Sequence, residues 1–445
     1  MYNYCDGTVH FKRRKCSTSP AAGVQPERYI QNLIVGIDVG SKKHYARTFD
    51  WRGIECSKKA FVFTNDAEGF AGFLEWTSEM LEKSGKETVI PGMEPTGHYW
   101  FDLAKFLQDN GMRPVLVNPL HVKRSKELDD HLPSKNDRKD PKTIAKLVIE
   151  GRYTYPYMPE GVYADLRNAS NMRFQVEAEL TRNKNRIQKW FSVYFPEYNE
   201  VYGSFDAISS MMIIKQAALP CDIISLGAEK INQIWREAKL KAVGKKRAQT
   251  LVEAAQRSIG YTEGLGTARI EISMLLDDYE KLKVRLELIM ELIEKLVSKI
   301  PYAEKLMNIK GIGMKTVSGF IAEVGDISRF TNAKQLQKLA GQAIVENSSG
   351  KHKGKSRISK RGRKRLRYLL FEAALSLAAT NPEFKELHRY YTSREQNPLK
   401  KIQSLMALSN KLIRVFYTIL KNGADYDPEK LLNDIRRPEG MSKVA

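Results

Sequence analysis

From Leu33 the chain alternates short apolar runs with polar breaks. LIVGID (33–38) is an apolar run closed by VGSKK, and HYARTFD (44–50) and IECSKKAFVF (54–63) are two further strand candidates around the turn Trp51-Arg52-Gly53. Three strand candidates with no helical stretch between them predict an antiparallel meander. FAGFLEWTSEMLEKSG then predicts an amphipathic helix ending at Gly85, VIPGME a strand, YWFDLAKFLQDNG a second helix, and RPVLVNP another strand. A meander followed by strand, helix and strand predicts a mixed α/β sheet of ribonuclease-H-like layout. An ordinary doubly wound domain would place a helix between the first two strands, and the pattern has none there.

Beyond about Tyr155 the pattern turns helical and charged. Leu275, Tyr279, Leu282, Leu286, Ile289, Ile293, Leu296 and Ile300 recur at alternating spacings of four and three, a heptad seam. Such a seam serves either a long helix packed inside its own chain or a coiled coil between protomers. The stretch from Asp165 to Phe195 is weaker in period and is a candidate for the other arm of a helical hairpin. From Pro301, LMNIKGIGMKTVSGFIAEVGD reads as helix, Gly311-Ile312-Gly313 turn and second helix, the pattern of a helix-hairpin-helix. Its glycines would let backbone N–H groups approach a phosphate, and its second helix would offer a positive N-terminus, with Lys315 in the first turn. The expected organisation is a flexible basic arm (1–30), an α/β domain (31–155), a helical coiled-coil region (156–300), a helical domain with the helix-hairpin-helix (301–385) and a helical extension (386–445).

Composition narrows the partners. Of the 445 residues 42% are hydrophobic, enough for at least one sizeable core, while 73 Lys and Arg against 52 Asp and Glu give a net charge of +21. A surplus of that size points to a polyanion. No run of eighteen apolar residues favours a membrane, and Cys5, Cys16, Cys56 and Cys221 lie too far apart for a disulfide framework or a zinc ribbon. A reduced cytoplasmic setting fits, as does the absence of a secretory h-region in the first thirty residues.

The densest charge is in ENSSGKHKGKSRISKRGRKRLRYLL (346–370), where ten Lys or Arg fall in seventeen residues directly after two serines and a glycine. The Gly- and Ser-bearing part, with Lys351, Lys353, Lys355, Arg357, Lys360 and Arg361, is the expected phosphate-contacting loop, and Arg363 is a further expected nucleic-acid contact, after which the pattern becomes an apolar-rich helix. Upstream, Asp38 closes a strand in GIDVG, Glu94 closes another before PTGH, and Asp137 and Asp140 stand three apart in SKNDRKDPKTIAKLV. Four converging carboxylates repel one another unless a hard cation neutralises them, and Mg²⁺ or Mn²⁺ suits an all-oxygen set. Individually each acid has a plainer reading: Asp140 before Pro141 as a helix cap, Asp38 as a turn residue, Glu94 as a surface acid. Asp129 and Asp130 compete with the later pair. Ser348-Ser349-Gly350 is by itself a flexible turn.

IVGIDVGSKKHYA, MEPTGHYW and SKNDRKDPKTIAKL together resemble the RuvC-like DEDD domain of a family of insertion-sequence transposases, bridge-RNA-guided DNA recombinases related to Piv-type DNA invertases. NIKGIGMKTVSGFIAEVGDISRFTNAKQLQKLAGQ with NSSGKHKGKSRISKRGRKRLRYLL looks like the same family's C-terminal serine domain. The chain has Lys135-Asn136-Asp137 and Asp140-Pro141 where the family often has Lys-Thr-Asp-x-x-Asp-Ala, and Gly341-Gln-Ala-Ile where it often has Gly-Leu-x-Pro. The resemblance implies that Ser349, rather than Ser348, attacks a DNA phosphate, with Asp38, Glu94, Asp137 and Asp140 holding Mg²⁺ against the same phosphate. It further implies a bridge RNA, donor and target DNA, a nucleoid location in a prokaryotic cell, and a homo-oligomer, dimer or tetramer, whose protomers share the two catalytic parts. Without it, the competing readings are a metal-dependent junction-resolving nuclease and a non-catalytic nucleic-acid-binding coiled-coil protein.

Overall fold

The computed structural model describes residues 30–129, 140–345, 348–349, 352–353, 357–433 and 435. The chain divides into two compact units, 1–158 and 159–445. Asp137, Asp130, Cys5, Cys16 and the basic arm lie outside the described residues, as do Gly350, Lys351 and Lys355.

The first unit is a six-stranded sheet in the order β3-β2-β1-β4-β5-β6. Strands β1 (Asn32–Asp38), β2 (Lys43–Phe49) and β3 (Phe61–Thr64) form the expected antiparallel meander. Helix α1 (Ala67–Ser84) starts where the Asp66 carboxylate accepts from Gly69 N–H and stops at Gly85, whose φ of 61° is a left-handed cap. Strand β4 (Thr88–Met93) then pairs parallel with β1, and after helix α2 (Trp100–Asp109) strand β5 (Val115–Val117) pairs parallel with β4. Helices α3 (Pro119–Asp129) and α4 (Asp140–Ile149) precede the two-residue β6 (Tyr153–Thr154), antiparallel to β5. This mixed sheet is compatible with a ribonuclease-H-like domain.

Strand alternation sorts β1 into two cores. Val35 and Ile37 join Phe70 and Phe73 of α1 and Leu103, Ala104 and Leu107 of α2 on one face. Ile34 joins Ile144, Ala145, Leu147 and Val148 of α4 on the other. Two glycines let α4 lie close. Gly36 and Gly92 are partners in the β1/β4 register. A Cβ on Gly36 would fall 1.9 Å from the Pro141 carbonyl oxygen, and one on Gly92 would fall 2.4 Å from a Val148 methyl.

The second unit is helical. Helices α5 (Val162–Tyr194) and α10 (Leu265–Val297), 33 residues each, are about 50 Å long at 1.5 Å per residue. Trp190 Nε1 donates to Ala268 O at 3.0 Å and Asn183 Nδ2 to Leu275 O at 3.2 Å. The second tie lies seven residues earlier on one helix and seven later on the other, which is the register of an antiparallel pair. The heptad seam is largely buried within the chain: Leu275 and Tyr279 lie in one core of the unit and Ile289, Ile293, Leu296 and Ile300 in the other, with Leu282 buried between them in sequence. Most of the seam is thus buried against elements of the same chain, the first of the two readings its spacing allows. Between the arms, helices α6 (Tyr198–Val201), α7 (Ile208–Ile214), α8 (Pro220–Glu237) and α9 (Lys245–Gln256) cap the far end around Trp235, Tyr198 and Tyr202.

The C-terminal part packs α11 (Met314–Val324), α12 (Ala333–Leu339), α13 (Lys364–Thr380), α14 (Pro382–Ser393), α15 (Lys401–Asn422) and α16 (Pro428–Leu432) around Phe320, Leu370, Phe384 and Phe416. The expected helix-hairpin-helix is only half formed. Its first arm is a 3-10 turn, Glu304–Asn308, and α11 is its second.

If the bare glycine strip seats α4, Gly36→Ala should destabilise the first unit by about 1–3 kcal/mol, the range for overpacking a filled site. Urea unfolding of the variant checks this; an unchanged transition would show that α4 tolerates the displacement.

Candidate active site

The carboxylate corner follows from the register. Asp38 and Glu94 each stand two residues beyond a glycine of the facing pair, Asp38 as the last residue of β1 and Glu94 directly after β4. A shift of two residues along a strand keeps the side chain on the same face, so both carboxylates belong to the face on which α4 lies. Neighbouring strands run about 4.8 Å apart, which sets these two acids side by side at the carboxyl ends of parallel strands. The third acid, Asp140, opens α4 immediately before Pro141, the residue whose carbonyl lies over Gly36. Thus Asp38, Glu94 and Asp140 are brought to one corner of the sheet.

The electrostatics of the corner favour a cation. Burial pushes the Glu94 carboxyl above its ordinary value; the nearby Lys126 ammonium pulls it back, and the Asp140 charge pushes it up again. Lys126 Nζ, from α3, lies 2.5 Å from Asp140 Oδ2. An ammonium thus occupies the neighbourhood of two carboxylates, and the donor set is oxygen only, the chemistry a hard divalent ion requires. Among the described residues no three acidic, His or Cys side chains stand close enough to hold a metal by themselves. The donors fit Mg²⁺ or Mn²⁺ in kind, without a finished cage.

The serines lie in a loop with a firm base. Strand β7 (Ile344–Val345) pairs antiparallel with β10 (Arg357–Ile358), and inside that loop β8 (Ser348–Ser349) pairs with β9 (His352–Lys353). The backbone register sets Ser349 opposite His352 and Ser348 opposite Lys353. Below β7 and β10 the two legs continue to bond: Ser359 N–H donates to Ala343 O at 2.8 Å and Lys360 N–H to Gly341 O at 2.9 Å. Arg367, on α13, fastens both legs by donating from Nη1 to Ala340 O at 3.1 Å and to Lys360 O at 3.2 Å. Gly341, at φ 68°, and Gly362 come so close that a Cβ on Gly362 would meet Gly341 N at 2.4 Å. Buried Gln342 ties one leg to α15, donating to Ser409 Oγ at 2.7 Å.

The basic run divides by partner. Arg357, Lys360 and Arg361 are exposed. Arg363 caps α13 from a position where its guanidinium donates to the Glu323 carbonyl and lies 3.3 Å from Glu323 Oε2. Arg365 Nη1 donates to Asn171 Oδ1 at 2.5 Å. Lys353 has its backbone in β9, and Lys315 Nζ lies 3.2 Å from Glu177 Oε1. At the glycine turn, a Cβ on Gly311, at φ 96°, would fall 2.4 Å from Thr380 Oγ1, and the Gly311 carbonyl accepts from Ser376 Oγ at 3.2 Å. Gly311 thus packs on α13, whereas Gly313 is exposed at the start of α11 with open space before it.

Lys126, Arg367 and the glycine pair are absent from the sequence reading. The parallel strings Gly36-Ile37-Asp38 and Gly92-Met93-Glu94, each a glycine two residues before a strand-end acid, carried the signal for the pair. Lys126 and Arg367 had none, because their partners lie on other elements.

Comparison with known proteins bears on both parts. The DEDD transposase model of the IS110 type matches residues 35–196, and the model of the Transposase IS116/IS110/IS902 family matches residues 303–389. The insertion element IS110 43.6 kDa protein of Streptomyces coelicolor is 22% identical over 341 residues, 76% of this chain and 81% of the relative. The insertion element IS116 44.8 kDa protein of Streptomyces clavuligerus is 22% identical over 88% of this chain and 96% of its own. The pilin gene-inverting protein of Moraxella bovis is 33% identical over 128 residues, 28% of this chain and 38% of the relative.

Two outcomes are expected. Because burial raises the Glu94 pKa, its ionised form opposes folding in the metal-free chain; that opposition is absent below the ordinary pKa and grows as pH rises through the raised one. Glu94→Gln should therefore raise the metal-free melting temperature at pH 7 and change it little near pH 4, and equal shifts at both would remove the electrostatic cause. Arg367→Met should speed hydrogen exchange at the Ser359 and Lys360 amides by about fivefold or more, the equivalent of losing roughly 1 kcal/mol. Unchanged exchange would mean that the legs hold without the guanidinium.

Proposed function

The chain belongs to the IS116/IS110/IS902 family of transposases, and from that premise we propose a bridge-RNA-guided recombinase that cuts and rejoins DNA to move an insertion sequence. Membership makes it a DNA transposase or recombinase, and DNA its substrate. The nucleophile, the metal, the guide RNA and the oligomer belong to this proposal. The observation that supports it most is the corner where the β1/β4 register and the seating of α4 bring Asp38, Glu94 and Asp140 together.

In this reading the Ser349 hydroxyl attacks a DNA phosphorus. Its proton is lost, a new O–P bond forms, and the bond to one DNA oxygen breaks, that oxygen leaving as a hydroxyl. The phosphodiester count is unchanged, since one DNA–O–P link becomes a serine–O–P link. A hydroxyl from another DNA end then attacks the phosphoserine, reforms a DNA phosphodiester and releases Ser349 protonated. A serine hydroxyl is a weak nucleophile at neutral pH and needs help. Arg357, Lys360 and Arg361, with Lys351, Lys353 and Lys355, supply positive charge for the phosphoryl oxygens. Asp38, Glu94, Asp137 and Asp140 would hold Mg²⁺ or Mn²⁺, which when bound neutralises phosphate charge and eases deprotonation of an attacking hydroxyl. The exposed N-terminus of α11, with Gly313 and Lys315, is placed by the same reading along the DNA backbone. A homo-oligomer would supply the serine of one protomer to the carboxylates of another.

With Mg²⁺, cognate DNA and RNA, the chain should leave a protein-linked DNA band on a denaturing gel. Ser349→Ala should remove the band and strand exchange by at least about 100-fold, on the scale of losing a positioned catalytic group. Full-rate cleavage by Ser349→Ala would instead support a metal-dependent junction nuclease. Unaffected exchange in Asp38→Ala, Glu94→Ala and Asp140→Ala would remove the carboxylate core from the account.

A further inference from the structure

The carboxylate corner already holds a cation of the chain's own, and the packing of α3 puts it there. Val122, 1% exposed, joins Ile144, Ala145, Leu147 and Val148 of α4 in one core. Lys126 stands four residues on, so it shares the face of α3 that Val122 turns toward α4. Its Nζ lies 2.5 Å from Asp140 Oδ2, with the lysine side chain 37% and the aspartate side chain 18% exposed. The ammonium also reaches the second acid: burial raises the Glu94 pKa, and Lys126 opposes that rise. Lys123, on the same helix, makes the contrast, being 75% exposed and 3.9 Å from Glu127. One lysine of α3 is solvated, and the other is spent on the corner. A divalent ion held by Asp140 would share its immediate surroundings with a fixed positive charge, and like charges at that range repel. The ammonium and a divalent ion therefore compete for the same oxygens.

We propose that Lys126 is the resident counter-ion of the carboxylate corner, which a divalent cation must displace, so that this lysine sets the ion concentration at which the site loads. Without a divalent ion it offsets the repulsion between Asp140 and Glu94. With one, its ammonium leaves Asp140 as the flexible four-carbon stem swings toward solvent, to which it is already partly open. The acids then exchange one positive charge for two. The opposite role, a lysine that holds Asp140 in the attitude a metal needs, predicts that its loss weakens the binding of the ion. The competing role predicts that its loss strengthens it. The inference rests on the cation reading of the corner and adds to it the residue that opposes loading.

The test is calorimetric titration of Mn²⁺ into the full chain at pH 7, without nucleic acid. Lys126→Met should bind Mn²⁺ about tenfold more tightly than the parent, the scale of removing one nearby positive charge from a partly screened site. Lys126→Arg, which keeps the charge, should stay within about threefold of the parent, and so should Lys123→Met, which removes the same charge from the solvated side of α3. Free of metal, Lys126→Met should melt below the parent at pH 7, because two carboxylates lose their counter-ion, and saturating Mn²⁺ should close that gap. Lys126→Gln supplies the same reading should the methionine variant fail to fold. Unchanged or weaker Mn²⁺ binding in the variants that remove the Lys126 charge overturns the inference. An equal gain in Lys123→Met does so too, since it would show a general field in place of a local competitor. A parent chain with no saturable Mn²⁺ binding would bring down the cation reading itself, whereas a parent that binds while Lys126→Met binds no tighter brings down this inference alone.

Discussion

Gly36 and Gly92 face each other across neighbouring parallel strands, and α4 lies on the strip their missing side chains leave bare. Interiors are packed as densely as organic crystals, so a helix is positioned to within a fraction of an ångström by what lies beneath it. Here what lies beneath is backbone, and the helix sits close enough for the Pro141 carbonyl to approach β1. The residue before that proline is Asp140, and the residues two beyond the glycines are Asp38 and Glu94. One packing constraint thus gathers acids that are far apart in the chain. It also carries an electrostatic burden, because Glu94 is partly buried beside another carboxylate with Lys126 offsetting the repulsion.

The serine loop is organised by the opposite means. The carboxylates are placed by close packing, whereas the legs below Ser349 are held by hydrogen bonds: two backbone rungs, the Arg367 guanidinium across both legs, and the buried Gln342–Ser409 pair. A rigid base under a short hairpin is a common way to present a reacting group while leaving its surroundings open to a large substrate. The helical pair α5/α10 contributes a third device. Its heptad seam is spent on joining the two arms of one chain, which leaves charged outer faces for other contacts.

Much of this was legible in the residues, for identifiable reasons. The meander, β4 and β5 were readable because apolar runs bounded by turn residues carry their own period, and β6 was missed because two residues have none. The helical hairpin was half legible: the seam's spacing shows that something packs on it, and only the Trp190–Ala268 and Asn183–Leu275 ties show that α5 does. The first arm of the helix-hairpin-helix closes as a 3-10 turn over Glu304–Asn308 where the apolar pattern suggests a helix. In the basic run, charge density could not separate Arg363, Arg365 and Arg367, which fasten carbonyls and side chains of other elements, from the exposed Arg357, Lys360 and Arg361. No sequence pattern distinguishes a guanidinium that will meet a carbonyl from one that will meet a phosphate. Asp137 lies outside the described residues and stays an expectation of the sequence.

The proposed function turns on Asp38, Glu94 and Asp140, with Asp137, holding a divalent cation. Electron paramagnetic resonance of Mn²⁺ titrated into the full chain measures it without reference to catalysis, since bound and free ions give different signals. The account predicts saturable binding that is lost in Asp38→Asn/Glu94→Gln and weakened by at least about tenfold in Asp140→Asn, the scale of removing a charged ligand from a hard-cation site. Binding of the same affinity and stoichiometry in those variants would contradict it.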